Sequence, residues 1–205
     1  HERHWLECFR DGRHLVWAVT RCRAIVGFDY DLAQLPIAAR TIREQRLGNA
    51  RVFAWDITGA FPFPDRSFSA ALFLDVIEHL HPRVAVLREI ARVLRDDGRL
   101  LVSGPNRATR WRRTLETAGL FSYSDADHKI EYTREEFLAE LAAGGFEPAG
   151  AVEPVVLDTP WAGAIDAVGG LSLGLYDRLS RWKRDAALRR PQDSTGFRVV
   201  ARKRA

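Results

Sequence analysis

An α/β fold built on a doubly wound, mostly parallel sheet is what this sequence predicts, and three observations predict it. Short apolar runs of strand length, Ala24–Phe28, Arg51–Trp55, Ala70–Leu74 and Arg99–Ser103, alternate with stretches of helical periodicity. The run Ala70–Leu74 leads into an acidic, His-bearing turn, Asp75-Val76-Ile77-Glu78-His79. Such turns lie at the carboxyl edge of open α/β sheets, where ligands bind. A closing strand, Gly196–Lys203, returns after a long interruption.

The bulk numbers agree. A chain of 205 residues, 46% hydrophobic and 28% charged, suits one soluble domain spanning residues 1–205. No apolar run approaches the ~20 residues needed to cross a bilayer, and no signal peptide is visible. Cys8 and Cys22 are too few for a disulfide framework or a zinc site. Reduced thiols and a cytoplasmic location are therefore expected. The chain begins at His1 and holds no methionine, which leaves open that residues precede or interrupt it. Net charge of +4 and a pI near 9.4 suggest nucleic acid as a partner. Arginine is spread over the whole chain, however, against only Lys129, Lys183 and Lys203. This reads as an amino-acid bias, and nucleic acid is not an expected partner.

Taken in order, Ala24–Phe28 is a strand ending in Asp29, a carboxylate placed to grip two ribose hydroxyls or to cap a helix. Leu32–Arg46 is a helix kinked at Pro36 and stopped by Gly48-Asn49. Arg51–Trp55 is the next strand, followed by Asp56. After Ala70–Leu74, Asp75 and Glu78 are candidate paired carboxylates and His79 a candidate base; local hydrogen bonding within the turn is the alternative. Arg83–Arg95 carries Leu87, Ile90, Ala91 and Leu94 on one face, an amphipathic helix against the sheet, with Gly98 at its end. Arg99–Ser103 is a strand with Gly104-Pro105-Asn106 at its lip. Residues 107–132 are too polar, too aromatic and too long for an idle connector. Thr133 and Glu136 form a capping box for a helix that runs to Ala143 and stops at Gly144-Gly145. Phe146–Leu157 is read as a sixth strand, and residues 158–195 as a helical insertion or lid. Within the insertion, helix 171–190 sets Leu175, Leu179, Trp182 and Ala186 on one face amid Arg178, Arg181, Lys183 and Arg184. It suits a lid, a dimer contact or a peripheral membrane contact.

Three segments in series, Phe61-Pro62-Phe63-Pro64-Asp65-Arg66-Ser67-Phe68, Leu74–His79 and Leu94–Asn106, resemble the class I, Rossmann-like S-adenosylmethionine-dependent methyltransferases. In that family they read "LPFPDxSFD", "DVLEH" and a helix end followed by "LLVSxPN". The resemblance covers roughly Ala24 to Phe146 and implies a seven-stranded sheet whose last strand is antiparallel. It also implies S-adenosylmethionine as cofactor. Asp29 would hold the ribose, Tyr30 would pack on the adenine, and Asp56 with the Ile57 N–H would contact the adenine edge. Backbone at Leu74 would face the cofactor's amino group. Of the family's glycine loop, Glu7-Cys8-Phe9-Arg10-Asp11-Gly12-Arg13-His14 keeps Asp11 and Gly12 as cofactor contacts and loses the earlier glycines, which let backbone approach the cofactor. A rebuilt loop, missing residues or weakened binding would each account for Phe9 and Arg10. The resemblance places acceptor recognition within residues 107–132, where His128 is a candidate catalytic group beside His79 of the turn; Asn106 at the lip, Tyr132 and, in the insertion, Trp161 are the candidate acceptor contacts.

The expected function is methyl transfer to a small-molecule or glycan/lipid-type acceptor, at oxygen. The alternative is a non-catalytic binding or scaffold protein with a degenerate cofactor loop. A nicotinamide-dependent oxidoreductase would show G-x-G-x-x-G after the first strand, and none is present. An RNA or membrane-surface binder rests on the basic helix alone. No nucleophilic triad or metal cluster appears in the sequence.

Overall fold

The structure, a computed structural model, describes residues 4–8, 18–29, 32–33, 35–169 and 172–204. Among them eight strands form one sheet: β1 (His4–Cys8), β2 (Ala24–Asp29), β3 (Ala50–Ala54), β4 (Phe68–Phe73), β5 (Leu94–Pro105), β6 (Phe146–Pro148), β7 (Glu153–Pro154) and β8 (Gly196–Lys203). Their order is β3-β2-β1-β4-β5-β8-β6, with β7 also on β8. β1 to β5 are mutually parallel, and β8 runs antiparallel to β5, β6 and β7. The order reverses between β1 and β4, which makes their carboxyl ends the switch-point crevice of the sheet.

Helices α1 (Leu35–Glu44), α2 (Arg83–Val93), α3 (Arg110–Thr117), α4 (Arg134–Ala143), α5 (Ala162–Gly169) and α6 (Leu173–Arg189) surround it. Single 3₁₀ turns occupy Ile77–His79 and Pro191–Asp193. α2 buries Val86, Leu87, Ile90 and Val93, and α4 buries Phe137 and Leu141. These pack with Phe73, Leu100, Val102, Phe197 and Val199 of the sheet in the larger core cluster. Full burial of each such side chain stabilises by roughly 1.5–3 kcal/mol. A smaller cluster gathers Ala18, Val19, Ile25, Ala50 and Leu72. The expected capping box forms: Thr133 Oγ1 accepts from the Glu136 N–H, and the Glu136 carboxylate accepts from the Thr133 N–H.

Three expectations are corrected. The stretch after α4 makes two strands, because Pro148 and Pro154 lack the N–H that a continuous ladder needs. The chain leaves β8 after the Ala149 N–H bond to the Val200 carbonyl and rejoins at Glu153. This is why the sheet has eight strands where seven are expected. α1 starts at Leu35, so Pro36 lies in its first turn, where a missing N–H costs nothing and no kink is required. The helix expected to run to Arg95 and end at Gly98 stops at Val93, and Leu94–Gly98 already belong to β5; within residues 107–132, Arg110–Thr117 is a helix capped by Thr109, whose hydroxyl accepts from the Arg112 N–H.

The Phe61–Phe68 segment is pinned by aromatics and by the ion pairs of Arg92 with Asp65 and Glu89. Phe61 and Phe63 pack against Phe28, with Phe53 and Phe68 touching Phe63. Arg92 donates to the carbonyls of Phe61 and Phe63 and to Asp65, while Glu89 accepts from the Phe61 N–H and from Arg92. In the insertion, α6 buries Ala186 and Ala187 but leaves Leu175 and Trp182 about half exposed. No described helix is long and apolar enough to cross a membrane.

Candidate functional site

Successive strand ends line one rim. β2 ends in Asp29, buried and in register with Ala54, the last residue of β3. The Trp55 N–H donates to the Asp29 carbonyl at 3.0 Å, which fixes Asp56 next along the edge. Asp56 is exposed; its Oδ1 accepts from the N–H and the hydroxyl of Thr58, both at 2.8 Å, leaving Oδ2 for another donor. Those bonds, the backbone one foremost, hold its carboxyl below the usual range. The neighbouring Ile57 side chain is buried.

Past Leu74, Asp75 takes φ +55°, a left-handed backbone that side-chain-bearing residues seldom adopt. Ser103 on β5 supports it. The Asp75 N–H donates to Ser103 Oγ at 2.9 Å, and that hydroxyl donates to Asp75 Oδ1 at 2.8 Å. Gly104 follows because no side chain fits: a Cβ there would lie 2.9 Å from the Phe137 ring.

The next turn carries Glu78 into the interior, 3% exposed. The Lys129 N–H donates to the Glu78 carbonyl at 2.8 Å, and Tyr132 is stitched to Pro105 and Arg107 by backbone bonds. These ties bring His128 against the turn. The His79 and His128 rings meet edge to face, centroids 4.8 Å apart. His128 Nδ1 lies 2.9 Å from Glu131 Oε1, and its Nε2 lies 3.9 Å from Glu78 Oε1. Glu131 also accepts from the Ser124 N–H and hydroxyl and pairs with Arg112 at 3.0 Å. Arg112 reaches Asp158 at 3.5 Å, which in turn accepts from Thr109. A ladder of buried charge thus runs from Glu78 through His128, Glu131 and Arg112 to Asp158.

Burial pushes the Glu78 carboxyl up to about 7, with Asp75 and Glu131 adding to the effect and His128 opposing it. Burial works the same way on Glu131, but hydrogen bonds from His128 and Ser124 and the Arg112 charge prevail and hold it low. A polar cleft of about 300 Å³ opens beside Glu131, lined also by Arg107, Ser122, Tyr123 and Glu136.

Of the residues read from sequence, Asp29, Asp56, Ile57 and Leu74 share the rim, and His79 and His128 meet beside it. Asn106 and Tyr132 do not present their side chains to a ligand. Asn106 is 1% exposed; its amide donates to the Gln192 and Ser194 carbonyls and accepts from the Ala108 N–H. Tyr132 is fully buried and packs edge-on against Phe137. Desolvation keeps its phenol protonated far above the ordinary range. Both are framework for the lip of β5. Trp161 is 70% exposed at the start of the insertion helices. Asp11, Gly12 and Tyr30, with Phe9 and Arg10, lie outside the described residues. Sequence reasoning missed Glu131, Arg112 and Asp158; an N-cap Thr109 ahead of Arg112 is the one local signal for them.

A family described as a methyltransferase domain matches residues 8–102. A protein of Mycolicibacterium smegmatis, named as a probable S-adenosylmethionine-dependent methyltransferase, is 34% identical over 159 residues, covering 68% of this chain and 59% of its own length. Among solved structures, the [4+2]-cyclase SpnF superposes with a TM-score of 0.69 at 20% identity, over 98% of this chain and 74% of that one. Geranyl diphosphate methyltransferase, solved with GPP and sinefungin, gives a TM-score of 0.66 at 18% identity, over 100% of this chain and 72% of that one. The strand order and these likenesses define a Rossmann-like α/β fold of the class I methyltransferase kind. Over residues 8–102 the chain matches the methyltransferase-domain family, and with the Mycolicibacterium relative this indicates a class I S-adenosylmethionine-dependent methyltransferase. It spans about three fifths of the length of the Mycolicibacterium relative.

Proposed function

We propose that this protein transfers the methyl group of S-adenosylmethionine to an oxygen of a small-molecule or glycan/lipid-type acceptor. One observation carries the reading: Asp29, Asp56 and the Leu74–Glu78 turn follow one another along a single rim, next to the His79–His128 pair. Asp29 takes the ribose hydroxyls, Asp56 and the Ile57 N–H take the adenine edge, and Leu74 backbone faces the cofactor's amino group. Asp11, Gly12 and Tyr30 complete the cofactor contacts in this reading.

The cofactor supplies a methyl on a positively charged sulfur, so the protein's work is alignment and exclusion of water. The acceptor hydroxyl is set against the His79–His128 pair, and its proton leaves through that cluster. α5 and α6, with Trp161, form a lid over the acceptor, and the whole chain acts as one domain. Calorimetry with S-adenosylhomocysteine tests the reading, with micromolar affinity expected. Absence of binding favours the second reading, a non-catalytic relative whose loop carries Phe9 and Arg10 where the family has glycines.

A further inference from the structure

We propose that Glu78, His79 and His128 bind one divalent transition-metal cation, and that this ion takes up the acceptor's hydroxyl oxygen. One ligand atom from each of the three residues lies within 4.8 Å of the others. Donors around one tetrahedral ion at about 2.1 Å stand about 3.4 Å apart, so side-chain movements of about 1 Å close the site.

The surroundings are arranged as for a metal ligand. Glu131 is salt-bridged to Arg112, so its carboxylate accepts and His128 Nδ1 carries the proton. The lone pair of Nε2 is thereby free to coordinate on the side facing Glu78. A carboxylate behind the distal nitrogen is how ligating histidines are commonly held. Glu78 Oε2 is enclosed and has no hydrogen-bond partner. Buried carboxylate oxygens are rarely left so, and a cation would satisfy it.

Charge points the same way. Among the described residues no lysine or arginine forms an ion pair with Glu78, since Arg112 serves Glu131 and Asp158. Two imidazoles and one carboxylate suit zinc, cobalt, iron or manganese better than magnesium or calcium, which prefer all-oxygen sets. Three protein ligands leave positions open for water or substrate.

The ion's role, though not its binding, rests on the methyl-transfer reading. Coordination lowers the pKa of the acceptor hydroxyl; with the ion bound, His79 and His128 act as ligands, and the proton passes to water in place of the histidines. The oxygen's electron pair then forms the new C–O bond while the methyl–sulfur bond breaks, leaving the neutral thioether.

The test titrates the metal-stripped full chain with Co²⁺, followed by visible absorption, with Zn²⁺ as competitor. Saturable binding of one equivalent is expected. His79→Ala, His128→Ala and Glu78→Gln should each weaken it at least about tenfold, and Glu131→Gln about 10–100-fold. His81→Ala, an exposed neighbour, should leave it unchanged. Should a histidine variant fail to fold by circular dichroism, the near-isosteric Glu78→Gln decides. No saturable signal, or one that survives Glu78→Gln and the His79→Ala/His128→Ala pair, overturns the proposal. Calorimetry with S-adenosylhomocysteine on the same preparations separates the two readings: its failure alone removes methyl transfer and leaves the cation site standing.

Discussion

Lys129 lends its backbone N–H to the carbonyl of Glu78, at 2.8 Å, and so ties the loop after α3 to the turn after β4. The turn is held from its other side by Ser103 through Asp75. Between these anchors, Glu78 and His79 meet His128 although about 50 residues separate them in the chain.

Arg112 is the only strong cation on the buried ladder among the described residues. Arg112→Ala leaves Glu131 and Asp158 enclosed without it. The expected loss is about 3–5 kcal/mol, the cost of stranding a buried charge. Urea unfolding followed by circular dichroism measures it. A loss below about 1 kcal/mol would mean that solvent reaches these carboxylates.

Asp29→Ala is expected to weaken S-adenosylhomocysteine binding by about 1–3 kcal/mol, or about 5–150-fold, the scale of charge-assisted hydrogen bonds. Calorimetry reads it directly. An unchanged affinity would remove Asp29 from the cofactor's ribose.

Ser103→Ala removes both hydrogen bonds between Ser103 Oγ and the left-handed Asp75 turn. Stability should fall by about 1–2 kcal/mol, and kcat of any methyl transfer should fall more than KM rises. A variant that matches the wild type in both respects would show that the turn holds its shape without β5.

The Glu89–Arg92 pair gives a pH signature. Arg92 hydrogen bonding holds the Glu89 carboxyl low, so in mild acid the folded chain binds fewer protons than the unfolded one. The stabilisation is complete above the ordinary glutamate value of about 4.3 and is lost as pH falls through the lower folded value. The wild type should therefore lose urea resistance between about pH 5 and pH 3 more steeply than Arg92→Ala does. Parallel slopes would exclude the pair as a source of acid sensitivity.

Much of this was legible in the sequence, because strand ends and caps are local. Asp29 and Asp56 follow short apolar runs, and Thr133 and Glu136 announce their helix by spacing alone. The ladder is not local. Glu131, Arg112 and Asp158 each look like ordinary surface charge, and only folding removes them from water. Asn106 and Tyr132 misled for a related reason: a polar or aromatic residue at a pocket lip can as readily support the lip as face the ligand. The helix Arg110–Thr117 was hidden because it is short and carries only Trp111 and Leu115 as apolar side chains.

β8 has a kinetic consequence. It pairs with β5, β6 and β7, yet it is made only after all three, and β5 ends at Pro105 while β8 begins at Gly196. Throughout the synthesis of the intervening residues, the outer edge of β5 has no native partner. A nascent chain in that state offers open amide and carbonyl groups to any neighbouring strand. Release of β8 from the ribosome is thus the event that seals the sheet, and a stall shortly before it should yield aggregation rather than a smaller folded protein.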